Sequence, residues 1–141
     1  MELTTFSMVL RFTLQLEEQT AQFYRGLAEK FTQTNELFSK FAQNSERRKK
    51  DLERTARESV DHSLLEPVSG LFEETYRMNI DVQHTASMND AISAAKKLEE
   101  SMQKFYEEAG DKIKFISNVS RLYRKYAQDR AKALASLQEY T

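Results

Sequence analysis

Apolar side chains recur at alternating steps of three and four along four long stretches of this chain, the spacing of a single helix face. The first face runs from Leu3 and Phe6 through Glu17 and Tyr24 to Phe31. The second runs from Phe38 through Ser45 and Arg48 to Thr55. The third runs from Met88 through Glu99 and Tyr106 to Ala109, and the fourth from Ile116 through Tyr123, Tyr126 and Arg130 to Tyr140. The periods predict a first helix over about 5–31, a second over about 35–60, a third from Ser87 or Asn89 to Gly110, and a fourth ending near Tyr140. Thr34 or Asn35 is a candidate cap for the second helix. Gly110 is a candidate left-handed residue closing the third. The stretch 61–87 holds the only proline, Pro67, together with Gly70, His62 and His84, and its period is poor. It reads as a long crossover with a short helix around Leu71 to Met78.

Each face is apolar or small apart from one charge near its middle: Glu17, Arg48, Glu99 and Arg130. A charge buried without a partner is costly, so such groups pair, bind metal or neutralise. In an antiparallel hairpin, facing residues lie equally far from the turn. Glu17 and Arg48 centre on the polar break Thr32-Gln33-Thr34, and Glu99 and Arg130 centre between Lys114 and Phe115. Both pairs sit level, the second only if the fourth helix starts at Ser117 rather than Asp111.

The two halves repeat. Leu16-Glu17-Glu18 followed by Phe23-Tyr24 recurs 82 residues later as Leu98-Glu99-Glu100 followed by Phe105-Tyr106. Phe38-x-x-Phe41-Ala42 recurs 85 residues later as Tyr123-x-x-Tyr126-Ala127. The prediction is an all-α domain over 1–141: a ferritin-like four-helix bundle of two antiparallel helical hairpins, about 5–60 and 88–140, joined by the 61–87 crossover.

Composition narrows the functions. With 141 residues, three glycines, one proline and 30% charged residues, the chain suits one helical domain with a real core. A net charge of −1 argues against nucleic acid as a partner. Arg47-Arg48-Lys49-Lys50, flanked by Glu46 and Asp51, reads as a mainly solvated face. No apolar run is long enough to span a membrane. Met1-Glu2-Leu3 lacks the basic start of a signal peptide, so a cytoplasmic protein is expected. The absence of cysteine removes disulfides and thiolate metal ligands.

On these motifs the chain resembles the rubrerythrin branch of the ferritin-like superfamily. The resemblance covers both hairpins and much of the crossover. It implies a Glu followed seven residues later by a Tyr on the first and third helices, matched by Glu17 with Tyr24 and Glu99 with Tyr106. It also implies Glu-x-x-His on the second and fourth helices, completing a di-iron centre. Here the chain departs from the pattern. Counting from Phe41-Ala42, the expected Glu and His fall on Ser45 and Arg48. Counting from Tyr126-Ala127, they fall on Arg130 and Ala133.

Arginine is permanently cationic and does not ligate metal. The expectation is therefore a buried cluster of Glu17, Arg48, Glu99 and Arg130 with no metal bound, Glu17 and Glu99 being vestigial ligand positions. Tyr24, Ser45, Tyr106 and Tyr126 would surround it. The alternative is that the arginines extend to solvent past protonated or hydrated glutamates. A shifted register offering Glu18, Glu46, Glu100 and Asp129 as ligands would line the helices with polar residues and lose the core.

Three functions follow as candidates. One is a non-catalytic structural or interaction module without cofactor. The second is an iron-dependent oxidoreductase or peroxidase of the rubrerythrin type with an atypical site. The third is a binder of a small ligand near the central tyrosines. His62 and His84 read as loop residues, and Met8, Met78, Met88 and Met102 as core or edge filler. Phe12, Leu14, Phe23 and Phe31 give the first helix a second apolar face, and with it the expectation of a homodimer.

Overall fold

The computed structural model describes residues 1–59 and 65–140. Its helices are α1 (Phe6–Lys30), α2 (Asn35–Ser59), a single-turn α3 (Glu73–Tyr76), α4 (Met88–Lys112) and α5 (Ser117–Gln138). The four long helices are the four predicted from periodicity. Position 60, the predicted end of the second helix, and His62 lie outside the described residues.

The ends show where local chemistry differs from expectation. Thr5 caps α1 by accepting from the Met8 amide at 3.2 Å, and Ser87 caps α4 by accepting from the Asp90 amide at 3.1 Å. Neither Thr34 nor Asn35 caps α2. The chain leaves α1 through a 3-10 turn, Thr32–Thr34, that runs directly into α2. The Asn35 side-chain Nδ2 turns back to donate to the Ala28 carbonyl at 2.8 Å, which satisfies the last turn of α1 instead. Gly110 is not the end of α4, which continues to Lys112 with Ile113 at its C-cap. Gly110 serves close approach: a Cβ there would lie 3.2 Å from Tyr123 Cβ on α5. α5 starts at Ser117, the later of the two predicted starts, although Ile116 holds the cap position without a side-chain bond.

α1 packs most closely on α2, and α4 on α5, as two antiparallel hairpins. Lys30 at the end of α1 donates to the Val82 and Thr85 carbonyls at 3.2 and 2.5 Å, just before α4 begins, so α1 and α4 run in opposite directions. The crossover therefore travels the length of α1. Its first part pairs antiparallel with residues 1–5: Leu3 N–H donates to the Leu71 carbonyl at 2.8 Å, and Val68 N–H to the Thr4 carbonyl at 3.0 Å. Periodicity gave no sign of this pairing. Gly70 takes φ +85° within it, a conformation open to glycine. The predicted helix over 71–78 shortens to Glu73–Tyr76 for this reason, since Leu71 and Phe72 are held in the extended pairing.

The crossover also covers the second apolar face of α1. Phe12 and Phe23 are buried; Phe12 meets Phe105 edge-on at 5.6 Å, and Tyr76 of α3 closes over the same ring at 5.0 Å. Two of the four residues that suggested a dimer face are thus used within the chain, leaving Leu14 and Phe31 half-buried. Tyr140, predicted on the fourth face, is exposed because α5 ends before it. No helix among the described residues is long and apolar enough to cross a membrane.

Candidate functional site

The predicted charges meet at the centre of the bundle, with Glu17, Glu99 and Arg130 essentially sealed and Arg48 5% exposed. Arg130, projecting from α5, bridges the two carboxylates. Its Nη2 donates to Glu17 Oε1 at 2.6 Å, and its Nη1 to Glu99 Oε1 and Oε2 at 2.9 and 3.1 Å. Arg48 Nε donates to Glu17 Oε2 at 2.9 Å, and its Nη2 to Ser45 Oγ at 3.2 Å. Ser45 in turn exchanges a hydrogen bond with Thr20 at 3.0 Å. Two negative and two positive charges cancel, which an interior closed to water requires. Both guanidinium groups lie inside the bundle, not in solvent.

The tyrosines cross between hairpins. Tyr106 donates to Glu17 Oε2, and Tyr24 to Glu99 Oε1 at 2.7 Å. Each carboxylate is therefore served by the tyrosine of the other hairpin, although the sequence spacing pairs it with its own. Tyr126 departs from its predicted place: its hydroxyl points to Asp51 at 3.5 Å, and only its ring approaches the cluster, 6.0 Å from the Arg48 guanidinium. Tyr123 pairs with Thr13 at 2.5 Å. Thr20 and Thr13 belong to the polar centre as well, which the pattern of charges did not reveal. Their place on the first face, Thr13 four residues before Glu17 and Thr20 three after it, was the available signal.

Burial pulls the Glu17 carboxyl upward, but Arg130, Arg48 and the Tyr106 hydroxyl outweigh it and hold the group at about 2. Burial, reinforced by the neighbouring carboxylate, lifts the Tyr106 and Tyr24 hydroxyls well above the usual phenol range. Burial disfavours the Arg130 cation, yet Glu17 and Glu99 more than offset this and raise its pKa. Glu17 is thereby held as a carboxylate, Arg130 as a cation, and Tyr106 and Tyr24 as neutral phenols.

A cleft of about 220 Å³ between α2 and α5 reaches this cluster. Arg48, Arg130 and Ala133 line it, with Lys40, Arg47 and Lys132 around them.

No family model and no curated protein matches this chain. Among solved structures it matches the crystal structure of a protein from Thermotoga maritima carrying the provisional description ferritin-like diiron-carboxylate protein. The TM-score is 0.80 at 18% identity, covering 96% of this chain and 93% of that one. The fold is ferritin-like.

The donor set at the bundle centre does not fit a di-iron pair. Among the described residues only Glu17 and Glu99 are buried carboxylates there, and Arg130 spans the gap between them. Among the described residues no group of three or more His, Cys, Asp or Glu is disposed to hold a metal. The shifted set of carboxylates is not assembled either. Glu18 pairs with Lys49 and Glu46 with Arg25, both at the outer edge of the first hairpin, while Glu100 is exposed. His84 is exposed on the crossover beside Asp81, at 2.8 Å.

Proposed function

We propose that this chain is a non-catalytic ferritin-like protein of rubrerythrin type, in which a buried Glu/Arg cluster stands where metal-bearing relatives hold two irons. Its role on this reading is structural or interactive rather than redox. The observation that carries it is Arg130, whose fixed charge bridges the two carboxylates that would otherwise reach for cations. A guanidinium supplies the positive charge without the redox chemistry, and the interior stays neutral. The Thermotoga maritima protein's description supports a di-iron ancestry for the fold and no more than that at 18% identity. Pairing as a homodimer belongs to the proposal, supported by the half-buried Leu14 and Phe31 and by exposed Phe72 and Phe115; sedimentation velocity tests it.

The test of the lost metal centre is elemental analysis of protein purified from iron-supplemented cells, read beside near-ultraviolet absorption of an oxo-bridged centre. The expected result is far less than one iron per chain with full helicity. A holding of about two irons per chain would instead restore the iron-dependent oxidoreductase reading. A positive control comes from rebuilding both Glu-x-x-His pairs with Ser45→Glu, Arg48→His, Arg130→Glu and Ala133→His together. This fourfold variant is expected to gain metal that the parent chain lacks.

A further inference from the structure

The repeat makes Ser45 the counterpart of Arg130 and Arg48 the counterpart of Ala133 in the two hairpins, because Phe41-Ala42 corresponds to Tyr126-Ala127. The second hairpin thus carries a methyl where the first carries a guanidinium, and Ala133 lines the α2/α5 cleft beside Arg48 and Arg130. A water molecule's share of liquid volume is about 30 Å³. The cleft of about 220 Å³ has room for one tetrahedral or planar anion and its hydration.

One donor of the cluster is unsatisfied. Arg130 Nε is buried and has no hydrogen-bond partner among the described residues, although both terminal nitrogens of the same group donate to carboxylates. A buried charged N–H without an acceptor is rare and costly. The charge around the cleft has the sign to answer it. Glu17 and Glu99 already balance Arg48 and Arg130, so Lys40, Arg47 and Lys132 stand against Asp129 alone. Three cations and Asp129, around a cleft that the paired Glu99 and Arg130 also line, are suited to an acceptor with negative charge.

We propose that the α2/α5 cleft is a binding site for one small oxyanion, a phosphate or a carboxylate. Lys40, Arg47 and Lys132 neutralise its charge, and a shift of the Arg130 side chain toward the cleft brings the sealed Nε to one of its oxygens. The site goes beyond the loss of the metal centre and does not depend on it, since iron analysis reports nothing about the cleft.

The test is calorimetric titration of the full chain with inorganic phosphate and, separately, with acetate, at fixed ionic strength set by chloride. The expected result is saturable 1:1 binding of at least one of the two, and the stronger binder identifies the chemistry. Lys132→Gln combined with Lys40→Gln should weaken binding tenfold or more. Ala133→Leu, which fills the cleft, should abolish it, with circular dichroism confirming that the variant remains helical. Thermal melts give a second reading: the anion should raise Tm in the parent chain and not in Ala133→Leu. Absence of saturable heat with both anions, as when water alone satisfies Arg130 Nε, overturns the proposal. So does an equal rise in Tm in both proteins, which would be general salt exclusion from the surface.

Discussion

The hydroxyl of Tyr106 on α4 donates to Glu17 on α1, so the phenol of one hairpin completes the carboxylate of the other. Neither residue is exposed, and the bond is charge-assisted. Tyr106→Phe keeps the ring and removes one donor from a buried carboxylate. It should cost about 1.5–3 kcal/mol, the range for hydrogen bonds to charged groups. Tyr123→Phe removes an equally buried bond to neutral Thr13 and should cost about 0.5–1.5 kcal/mol. Urea denaturation of the two variants orders them. The reverse order would mean that Tyr106 contributes little beyond its ring.

The two arginines are not equivalent. Arg130 holds both carboxylates, whereas Arg48 holds Glu17 and Ser45, and both border the cleft. Arg130→Ala leaves two buried carboxylates short of their cation and should destabilise by about 3–5 kcal/mol. Arg48→Ala should cost less, because Arg130 still serves both Glu17 and Glu99. Arg130→Lys should fail to rescue, since a single ammonium lacks the planar fork that reaches Glu17 and Glu99 together. Chemical denaturation of the three variants measures this, and equal losses for Arg48→Ala and Arg130→Ala would refute the asymmetry.

Much of this centre is legible in the sequence. Periodicity alone puts Glu17, Arg48, Glu99 and Arg130 on buried faces, and equal distance from each turn sets them level in pairs. The sharing of Arg130 between both hairpins is not legible, because hairpin symmetry relates only residues within a hairpin. The crossed Tyr24 and Tyr106 bonds are hidden for the same reason: they depend on how the two hairpins dock. Tyr126 misleads because a helix face is wider than one line of residues, and its hydroxyl emerges at the edge near Asp51. The extended pairing of residues 1–5 with the crossover leaves no mark, since it is made by backbone groups. The end of α4 is misplaced because a glycine near a helix terminus reads as a stop, whereas Gly110 is there to admit Tyr123.

Acid should expose the cluster. Glu17 sits at about 2 in the folded chain against its usual 4.5. A folded value below the unfolded one means that the unfolded chain binds the proton more readily, so stability falls as pH falls. The contribution is complete above about 4.5, declines between 4.5 and 2, and is gone below. Its size is about 3 kcal/mol, because a tenfold difference in proton affinity between the two states is worth about 1.4 kcal/mol. Urea midpoints taken from pH 7 down to pH 2 should show this decline. Glu17→Gln, which carries no titrating group there, should flatten it. An unchanged slope in that variant would assign the acid sensitivity to other carboxylates.

Gly26 sets how closely the crossover lies on α1. A Cβ at this position would fall 2.5 Å from Val82 Cγ2, and Lys30 pins the same turn through the Val82 and Thr85 carbonyls. Gly26→Ala carries two opposed effects. Alanine favours the helix by about 1 kcal/mol over glycine. Overpacking a tethered contact costs about 1–3 kcal/mol. In the parent chain the contact should win or balance, giving a change between zero and about 2 kcal/mol of destabilisation. With Val82→Ala the obstructing methyl is gone, and the same Gly26→Ala step should stabilise by about 1 kcal/mol. The sign change is the signature of direct contact, and a double-mutant cycle by chemical denaturation reads it as coupling between the two sites. If Gly26→Ala has the same effect in both backgrounds, the crossover turn does not rest on α1 at this point.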